Sequence, residues 1–550
     1  MRTGFRLSGL LLACLMVGVL LLTSCSTTPA SPEASPAAGA SPNKTAPVPT
    51  TAGQPKPTAT ASGPTGSLVV TESFGGGHID PLIGTGRQHD TLGGAIWDSL
   101  LSVTADDQVA PGVAERWEIS PDGLVHTFYI RKGIKFHDGS DLTAVDVKFS
   151  VERMLNSTTQ SFVSIWKAAV ASVEMKDTYT VAIRMKSPQY ERIKDIDGPM
   201  GAVMPKKYFE EKGAEYFQAH PIGSGPWKFV SYTPDAELKL VAVDSHWRAV
   251  PKFKNLTILN VKEESTKIAM LKTGELDIAM ISSDSVAALK SAGLRILNYD
   301  GGGRWWGQVF FPWEQANQFP VGDVKVRKAM QLSINAKEMA NAFYGGAGGP
   351  YSLQGVPLAT ALQLKPDPYD PEGAKKLLAE AGYPKGFRHR LSDTGGGGVQ
   401  SLINAAVAGY YRAVGIDAYI VAMEHSAHRS LYAAPKLDPS ISNSTYIYVI
   451  STADTVEISP TFYHSTKGIF HNINDPALDK IIDKIPATAD PVEKKRLMLE
   501  GATLARNNYT TLSILAFENI VAIGPKVGDL APAFERSLLA TQYETVTHGK

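Results

Sequence analysis

Hydrophobic residues follow two different periods along the chain, which indicates both strands and helices. Residues 126–130 and 180–185 alternate apolar and polar side chains, a pattern typical of half-buried strands. A helix is predicted over 144–154, where the apolar positions are Val145, Val147, Phe149, Val151 and Met154. The chain shows no fixed repeat, so it is a mixed α/β protein rather than a repeat protein.

The order strand, helix, strand occurs at two places. The first place has a strand over 254–261, a helix over 265–272 and a strand over 276–281. The second lies within 386–423 and has its helix at 401–414. Because these units are far apart in a chain of 550 residues, we expect two α/β lobes rather than one sheet.

The amino end is predicted to be a signal peptide. An apolar stretch from Leu10 to Leu22 follows the positive residues Arg2 and Arg6 and is short for a membrane span. A small residue and Cys25 close this stretch, which resembles a bacterial lipobox. The alternative is an ordinary signal peptide with an incidental cysteine. We expect 1–25 to be a lipoprotein signal peptide and lipid on Cys25 to anchor the protein to the cell membrane, facing the periplasm or the exterior.

Residues 26–66 are predicted to form a disordered tether. They include nine prolines and a single large aliphatic residue, Val48, which is too little apolar surface for a core. Without the signal and tether, the body keeps all but four of the 54 basic residues and all but one of the 54 acidic residues. This mildly acidic balance argues against a nucleic-acid partner.

The body offers few residues for catalysis. Both cysteines, Cys14 and Cys25, precede it, so it has no thiolate metal site and no cysteine nucleophile. It contains no G-x-S-x-G, Walker A or H-E-x-x-H motif. His425 and His428 are interpreted as two surface histidines. We therefore expect no enzyme activity, no cofactor and no metal, with an extracellular hydrolase as the less favoured alternative.

Several phrases follow one another along the body. They are Ala114–Gly123, Ile130–Gly139, Leu142–Val147, Pro221–Trp227, Leu271–Ala279, Asp323–Ala329 and Tyr369–Pro371 with Ala374–Leu378. In this order they resemble the dipeptide, oligopeptide and nickel class of bacterial extracellular solute-binding proteins, family 5, which are the substrate-binding components of ABC importers. Taken one by one, they are interpreted as turns and other scaffold positions rather than as ligand contacts. The resemblance covers about 67–530.

The resemblance implies a two-lobed, periplasmic-binding-protein-like α/β fold of type II, with the extra subdomain of the peptide-binding class and a ligand cleft between the lobes. Lobe one is expected at 67–299, with 520–550 returning to it, and lobe two at 300–519. The implied function is capture of a small solute, peptide or peptide-like, and its delivery to the transmembrane subunits of an ABC permease. A ligand-binding sensor would use the same body.

Asp454 is the first candidate ligand residue. In peptide-binding relatives an aspartate in a late Ala-Asp segment holds the α-ammonium of the peptide, and Ala453-Asp454 resembles it. The usual tryptophan of that segment falls on Ser451, and the aromatic residue after the aspartate is replaced by Thr455. The alternative is a loop aspartate that caps a turn.

Arg304, Trp305 and Trp306 are the other candidates. They follow three glycines, 301–303, at the point where relatives cross from lobe one to lobe two. Adjacent tryptophans would cover an apolar face of the ligand, and Arg304 would pair with a ligand carboxylate or with an acid across the cleft. If the pair lies on a strand, one tryptophan packs in the core instead, because neighbours point to opposite faces.

Overall fold

The computed structural model describes residues 63–72, 79–82, 94–104, 108–157, 163–190, 192–196, 201–356, 363–395, 398–433, 436–451, 458–530 and 542–549. All of them belong to one compact unit, Ser62–Lys550. The predicted signal peptide, most of the predicted tether and Cys25 lie outside the described residues, as does Asp454.

The described strands form one large sheet and two small ones. The large sheet has the order β15-β14-β16-β12-β17-β11-β1-β10-β9-β8, with β13 beside β17; β2 and β3 form a pair, and β4-β5-β7-β6 form an antiparallel sheet. The bounds are β1 Thr65–Thr71, β2 Leu101–Val103, β3 Val109–Pro111, β4 Ala114–Ile119, β5 Val125–Ile130, β6 Val170–Asp177, β7 Thr180–Met185, β8 Trp227–Thr233, β9 Glu237–Ala242, β10 Phe253–Leu259, β11 Ile278–Ile281, β12 Arg295–Phe310, β13 Gly348–Gly349, β14 Arg388–Asp393, β15 Asp417–Ala422, β16 Ser444–Ser451 and β17 Thr511–Ile523.

Helices cover the sheets and connect many of the strands. The described α-helices are Ala144–Asn156, Val163–Ala169, Lys206–Lys212, Ala214–Ala219, Glu264–Thr273, Val286–Ser291, Val324–Leu332, Ala336–Tyr344, Pro371–Glu380, Gly398–Ala413, His425–Tyr432, Pro460–Tyr463, Pro476–Lys484 and Pro491–Asn508. The helix Ala144–Asn156 confirms the predicted one, but Val145 is 39 % exposed, so its assignment to the apolar side is wrong. Asp146 takes a buried place instead, because its carboxylate accepts the backbone N–H of the N-cap Thr143.

Both predicted βαβ units are present, yet they lie in the same sheet. The expectation of separate sheets is therefore wrong. Two long neighbouring strands explain the difference. Arg295–Tyr299 of β12 pair with 519–523 of β17, and Gly303–Gln308 of β12 pair with 511–517 of β17. The register shifts between Tyr299 and Gly303, an irregular step that divides the pairing into two ladders, and it shifts a second time between Trp305 and Trp306.

These two strands run from one hydrophobic core to another. Val521 and Ile523 of β17 pack in a first core with residues such as Leu68, Trp97 and Phe128. Leu512 and Ile514, in the other half of β17, pack in a second core with Trp305, Val309 and Ile447. A continuous sheet thus connects two cores that are built from different parts of the chain.

The phrases that carry the family resemblance have scaffold roles. The imidazole of His137 accepts the backbone N–H of Gly223 at 3.2 Å, and its other nitrogen lies 2.9 Å from the carbonyl oxygen of Gly225, so two phrases hold one another. A Cβ on Gly223 would lie 2.0 Å from the carbonyl oxygen of Ile96, which explains the glycine. Asp323 and Asp370 each cap the helix that follows.

Candidate functional site

The candidate residues Arg304, Trp305 and Trp306 lie side by side in β12, just after its irregular step. Each pairs with a residue of β16 on one side and of β17 on the other. The pairing with β16 is regular at this point, whereas the pairing with β17 shifts its register between Trp305 and Trp306. Alternation along β12 sends Trp305 to one face of the sheet and its two neighbours to the other.

Trp305 packs in the second core. It is 5 % exposed, and its indole N–H donates a hydrogen bond to the hydroxyl of Tyr344 at 2.6 Å. The ring of Tyr344 stacks on Phe517 with centroids 4.4 Å apart, and burial raises the pKa of this tyrosine to about 12. This face of β12 is apolar and its polar atoms are satisfied, which is the pattern of a structural core.

Trp306 lies on the opposite face and is 0 % exposed. Its ring centroid is 4.3 Å from that of Tyr448 and 4.8 Å from that of Phe462. Its indole N–H has no hydrogen-bond partner in the part of the chain that the structure describes. A buried donor without a partner is uncommon in folded proteins, although the indole N–H groups of Trp166 and Trp227 are also unpaired among the described residues.

Trp306 belongs to an aromatic cluster, which we define as Trp306, Phe310, Tyr432, Tyr446, Tyr448, Phe462 and Phe470. Tyr446 and Tyr448 stack with centroids 4.5 Å apart, and Phe310 stacks on Tyr432 at 5.5 Å. These rings come from β12, from β16 and from segments on either side of β16. The tyrosines of β16 are visible as an alternating pair in the sequence, but nothing local to Tyr432 or Phe470 indicates that they join it.

Arg304 is also buried, at 6 % exposure. The central carbon of its guanidinium lies 5.4 Å from the ring centroid of Tyr351, and the hydroxyl of Tyr351 donates to the carbonyl oxygen of Trp305 at 3.1 Å. Tyr351 also packs against the aromatic cluster. No carboxylate within the described ranges lies within ion-pair distance of Arg304.

Two tyrosines of this region, Tyr351 and Tyr448, are half-buried rather than buried. Burial nevertheless raises the pKa of both phenols well above the ordinary value, while Arg304 opposes the shift at Tyr351. Arg304 and Trp306 therefore lie beside two aromatic side chains that keep some solvent access.

The helix His425–Tyr432 covers one side of the aromatic cluster, and it corrects one expectation. His428 is 0 % exposed, so its interpretation as a surface histidine is wrong. Its ring centroid lies 4.4 Å from that of Tyr446, and burial lowers its pKa to about 4. His425 is exposed, with its ring nitrogen 3.2 Å from the hydroxyl of Tyr446. Positions three apart lie on the same helix face, but His425 is the first residue of the helix and stays exposed, whereas His428 is covered by the aromatic cluster.

Asp454 lies outside the described residues, so its place relative to Arg304 and Trp306 stays a prediction. The last residue of β16, Ser451, pairs with Gly303 of β12. A Cβ on Gly303 would lie 2.6 Å from the ring of Phe517 and 2.7 Å from Val449, so a glycine is needed at this crossing.

A surface depression of about 320 Å³ lies elsewhere, at the start of β12. Its lining is Gly293, Arg295, Ile523, Gly524, Pro525, Val527, Gly528, Asp529, Thr547, His548 and Gly549. It is nine residues from Arg304 along the strand, and Arg295 already donates to the carbonyl oxygen of Val527 at 3.1 Å. It contains none of the candidate residues.

The described residues contain neither a metal-binding cluster nor a membrane-spanning helix. Their His, Cys, Asp and Glu side chains form no group of three or more that is placed to hold a metal ion. None of their helices is long and apolar enough to cross a membrane.

Solved structures place the fold among the periplasmic binding proteins of the peptide-binding class. A periplasmic binding protein, DppA of Helicobacter pylori in complex with the peptide STSA, matches 88 % of this chain and 98 % of its own, with a TM-score of 0.71 and 21 % identity. NikZ of Campylobacter jejuni in complex with Ni(L-His) matches 88 % of this chain and 100 % of its own, with a TM-score of 0.70 and 19 % identity. The fold class expected from the sequence is thereby confirmed.

Sequence comparisons then give the family. The model of the bacterial extracellular solute-binding proteins, family 5 (middle region) matches residues 108–469. The glutathione-binding protein GsiB of Salmonella paratyphi A is 29 % identical over 438 residues, which are 77 % of this chain and 83 % of that protein. Heme-binding protein A of Haemophilus influenzae is 28 % identical over 335 residues, or 56 % of this chain and 61 % of that protein.

The chain therefore belongs to the bacterial extracellular solute-binding proteins, family 5. This family acts in the periplasm or outside the cell, and the relatives named above are binding proteins rather than enzymes. The ligands in the two solved structures differ widely, from a peptide to a nickel complex. Membership of the family consequently leaves open which solute this chain binds.

Proposed function

We propose that this protein is the lipid-anchored solute-binding component of an ABC importer, and that it captures a small peptide-like solute for a membrane permease. The observation that carries the proposal is the aromatic cluster on one face of β12, which adjoins the buried cation Arg304 through Tyr351. Ligand sites are typically mostly apolar, with a few fixed polar groups, as here.

In this proposal the strands β12 and β17 are the hinge between lobe one, 67–299 with 520–550, and lobe two, 300–519. The hinge is placed at the irregular step between Tyr299 and Gly303, where the pairing of the two strands shifts its register. A change of angle at this step would open and close the space between the lobes. Arg304 and Trp306 follow the step directly, so closure would bring them onto the solute, with Trp305 supporting them from the second core.

The proposed solute is peptide-like because of Asp454 as well as Arg304. Related structures include the oligopeptide-binding protein AppA of Bacillus subtilis with a nonapeptide, which matches 89 % of this chain and 100 % of its own at a TM-score of 0.70 and 20 % identity. Asp454 would bind the α-ammonium group of the solute by a charge-assisted hydrogen bond, which is strong where water is excluded.

A titration of intrinsic tryptophan fluorescence with a mixed tripeptide pool tests this role. Asp454→Ala should weaken binding by well over tenfold, since loss of a desolvated charge partner typically costs about 2 to 5 kcal/mol. The melting temperature of the empty protein should stay almost unchanged. Asp438→Ala is the matched control, because Asp438 is a half-buried aspartate whose carboxylate accepts hydrogen bonds from Ser440. Unchanged affinity in Asp454→Ala would remove Asp454 from the site.

The anchor is tested separately. Cys25→Ala should release the protein into the medium or leave it unprocessed, while the body keeps its fold. Fractionation of cells that carry either form measures this. A Cys25→Ala protein that is still processed and stays as firmly bound to the membrane as the wild type would contradict lipidation at Cys25.

A further inference from the structure

Arg304 is a buried cation without a matching anion among the described residues. At 6 % exposure its guanidinium has lost most of its hydration, and its recorded contact is with the ring of Tyr351. A cation over an aromatic face recovers only part of the free energy that burial of a charge costs. The arrangement is therefore incomplete without an anionic group.

Arg327 shows how this protein satisfies a buried arginine that has a structural role. It is also 6 % exposed, but its Nε donates to the carbonyl oxygen of Asn508 at 2.8 Å, and its Nη1 donates to those of Val321 and Gly322 at 2.8 and 2.9 Å. Its guanidinium lies 4.9 Å from the ring of Phe311, much as Arg304 lies over Tyr351. Arg304 has the same burial and the same kind of aromatic neighbour without the three acceptors.

The neighbours of Arg304 indicate which kind of chemical group would carry the anion that Arg304 binds. The indole N–H of Trp306, two residues further along the same face, is a second buried donor without a partner in the described ranges. Tyr351 and Tyr448 provide aromatic surface that is still partly accessible. Two donors beside flat apolar walls suit a carboxylate that is joined to an apolar or planar group.

We propose that Arg304 is the anion subsite of the solute-binding site, and that the solute carries a carboxylate next to an apolar or planar group that packs against Tyr351 and Tyr448. The guanidinium binds the carboxylate through paired N–H donors. This inference rests on the proposed capture of a small solute, and it restricts the solute to an acid. A neutral sugar or a purely cationic solute would leave Arg304 without its anion.

The alternative is an internal partner. The segment after β16 carries Asp454 and Glu457, whose places lie outside the described residues. If one of these carboxylates neutralises Arg304 within the protein, the arginine is structural. The two cases differ in the stability of the empty protein, because removal of one member of a buried ion pair is strongly destabilising, whereas removal of an unmatched buried charge is not.

The experiment compares the wild type with Arg304→Met, and uses Arg327→Met as the matched control, in full-length chains freed of retained solute. The probes are phenylacetate and its neutral isostere phenylacetamide, followed by ligand-observed NMR titration. We expect the wild type to bind the acid at least about tenfold more tightly than the amide, and Arg304→Met to lose that preference. Arg327→Met, if it folds, should keep the preference.

Melting temperatures of the empty proteins complete the test. Arg304→Met should melt no lower than the wild type, whereas Arg327→Met should melt several degrees lower, because three buried carbonyl groups lose their donor. A wild type without preference for the acid, whether it binds both probes or neither, would overturn the subsite. So would an Arg304→Met protein that melts as low as the control. A protein that prefers the acid but captures no solute from a tripeptide pool would retain the subsite and overturn the proposed peptide capture.

Discussion

Two regions of the molecule bury an arginine in opposite ways. In the first, Arg248 donates to the carboxylate of Asp98 at 2.9 Å and also contacts Glu544, and both carboxylates are almost completely buried. Trp247 and His246 bring further nitrogens to within 2.8 and 3.2 Å of the same aspartate. In the second, Arg304 has an aromatic ring and no carboxylate among the described residues.

The difference separates structure from function. The network around Arg248 joins three distant parts of the chain and pairs the cation with two carboxylates, so it stabilises the first core. Arg304 has no carboxylate beside it among the described residues. The absence of a protein carboxylate, rather than burial as such, therefore distinguishes Arg304 from Arg248.

A substitution of Arg248 tests this comparison with the largest expected effect. Arg248→Met should lower the free energy of unfolding by about 3 to 5 kcal/mol, because Asp98 and Glu544 would then face one another in the interior without a cation. Denaturant unfolding at pH 7 measures the effect. Arg304→Met should show no such loss, so the two substitutions give opposite results if the distinction is correct.

An exposed ion pair provides the control for Arg248→Met. Arg496 donates to Glu493 and Glu500 on the outer side of the helix Pro491–Asn508, where water already solvates all three. Arg496→Met should leave stability unchanged within error. Equal losses in Arg248→Met and Arg496→Met would mean that burial is not what makes the network around Arg248 important.

The pH dependence of stability sharpens the same comparison. Burial alone would raise the pKa of Asp98, but the hydrogen bond from His246 and the positive charge of Arg248 lower it from 3.8 to about 2. A carboxyl whose pKa is lower in the folded state stabilises the fold above its unfolded pKa, and this stabilisation is lost as the pH falls through about 2. Between pH 5 and pH 2 the wild type should therefore lose about 2 kcal/mol more than Asp98→Asn. Parallel pH profiles would contradict the assignment.

The smallest effect distinguishes the two faces of β12. Trp305→Phe removes the hydrogen bond to Tyr344, whereas Trp306→Phe removes no hydrogen bond that the described residues make. The first substitution should cost about 1 kcal/mol more stability than the second. Trp306→Phe should instead be the one that changes affinity for a tripeptide pool. If Trp305→Phe changes affinity more, the solute contacts the opposite face.

Much of the fold follows from the sequence, because its elements are specified locally. The strand predicted over 180–185 is β7 to the residue, and the helix predicted over 401–414 is observed at Gly398–Ala413. The long-range pairing was not predictable in this way. β12 and β17 are more than 200 residues apart in the chain, and their pairing merges two predicted sheets into one. Side-chain periodicity specifies a face, not a partner strand.

The site was predictable to a lesser extent. In the sequence, adjacent tryptophans after three glycines indicate the segment that forms part of β12. Because side chains alternate along a strand, Trp305 and Trp306 are expected on opposite faces. Whether Arg304 has a carboxylate beside it depends on tertiary packing, and no local sequence pattern predicts that. Tyr351 and Phe462 likewise join Trp306 only through tertiary packing.

The central claim is that this chain captures a small acidic, peptide-like solute. Native mass spectrometry of the full-length protein, purified without denaturation and then exposed to a mixed tripeptide pool, tests it most directly. The account predicts one solute per chain that carries both an amino group and a carboxylate, and its loss from Arg304→Met and Asp454→Ala. A retained solute without a carboxylate, or no capture of any tripeptide by the wild type, would contradict it.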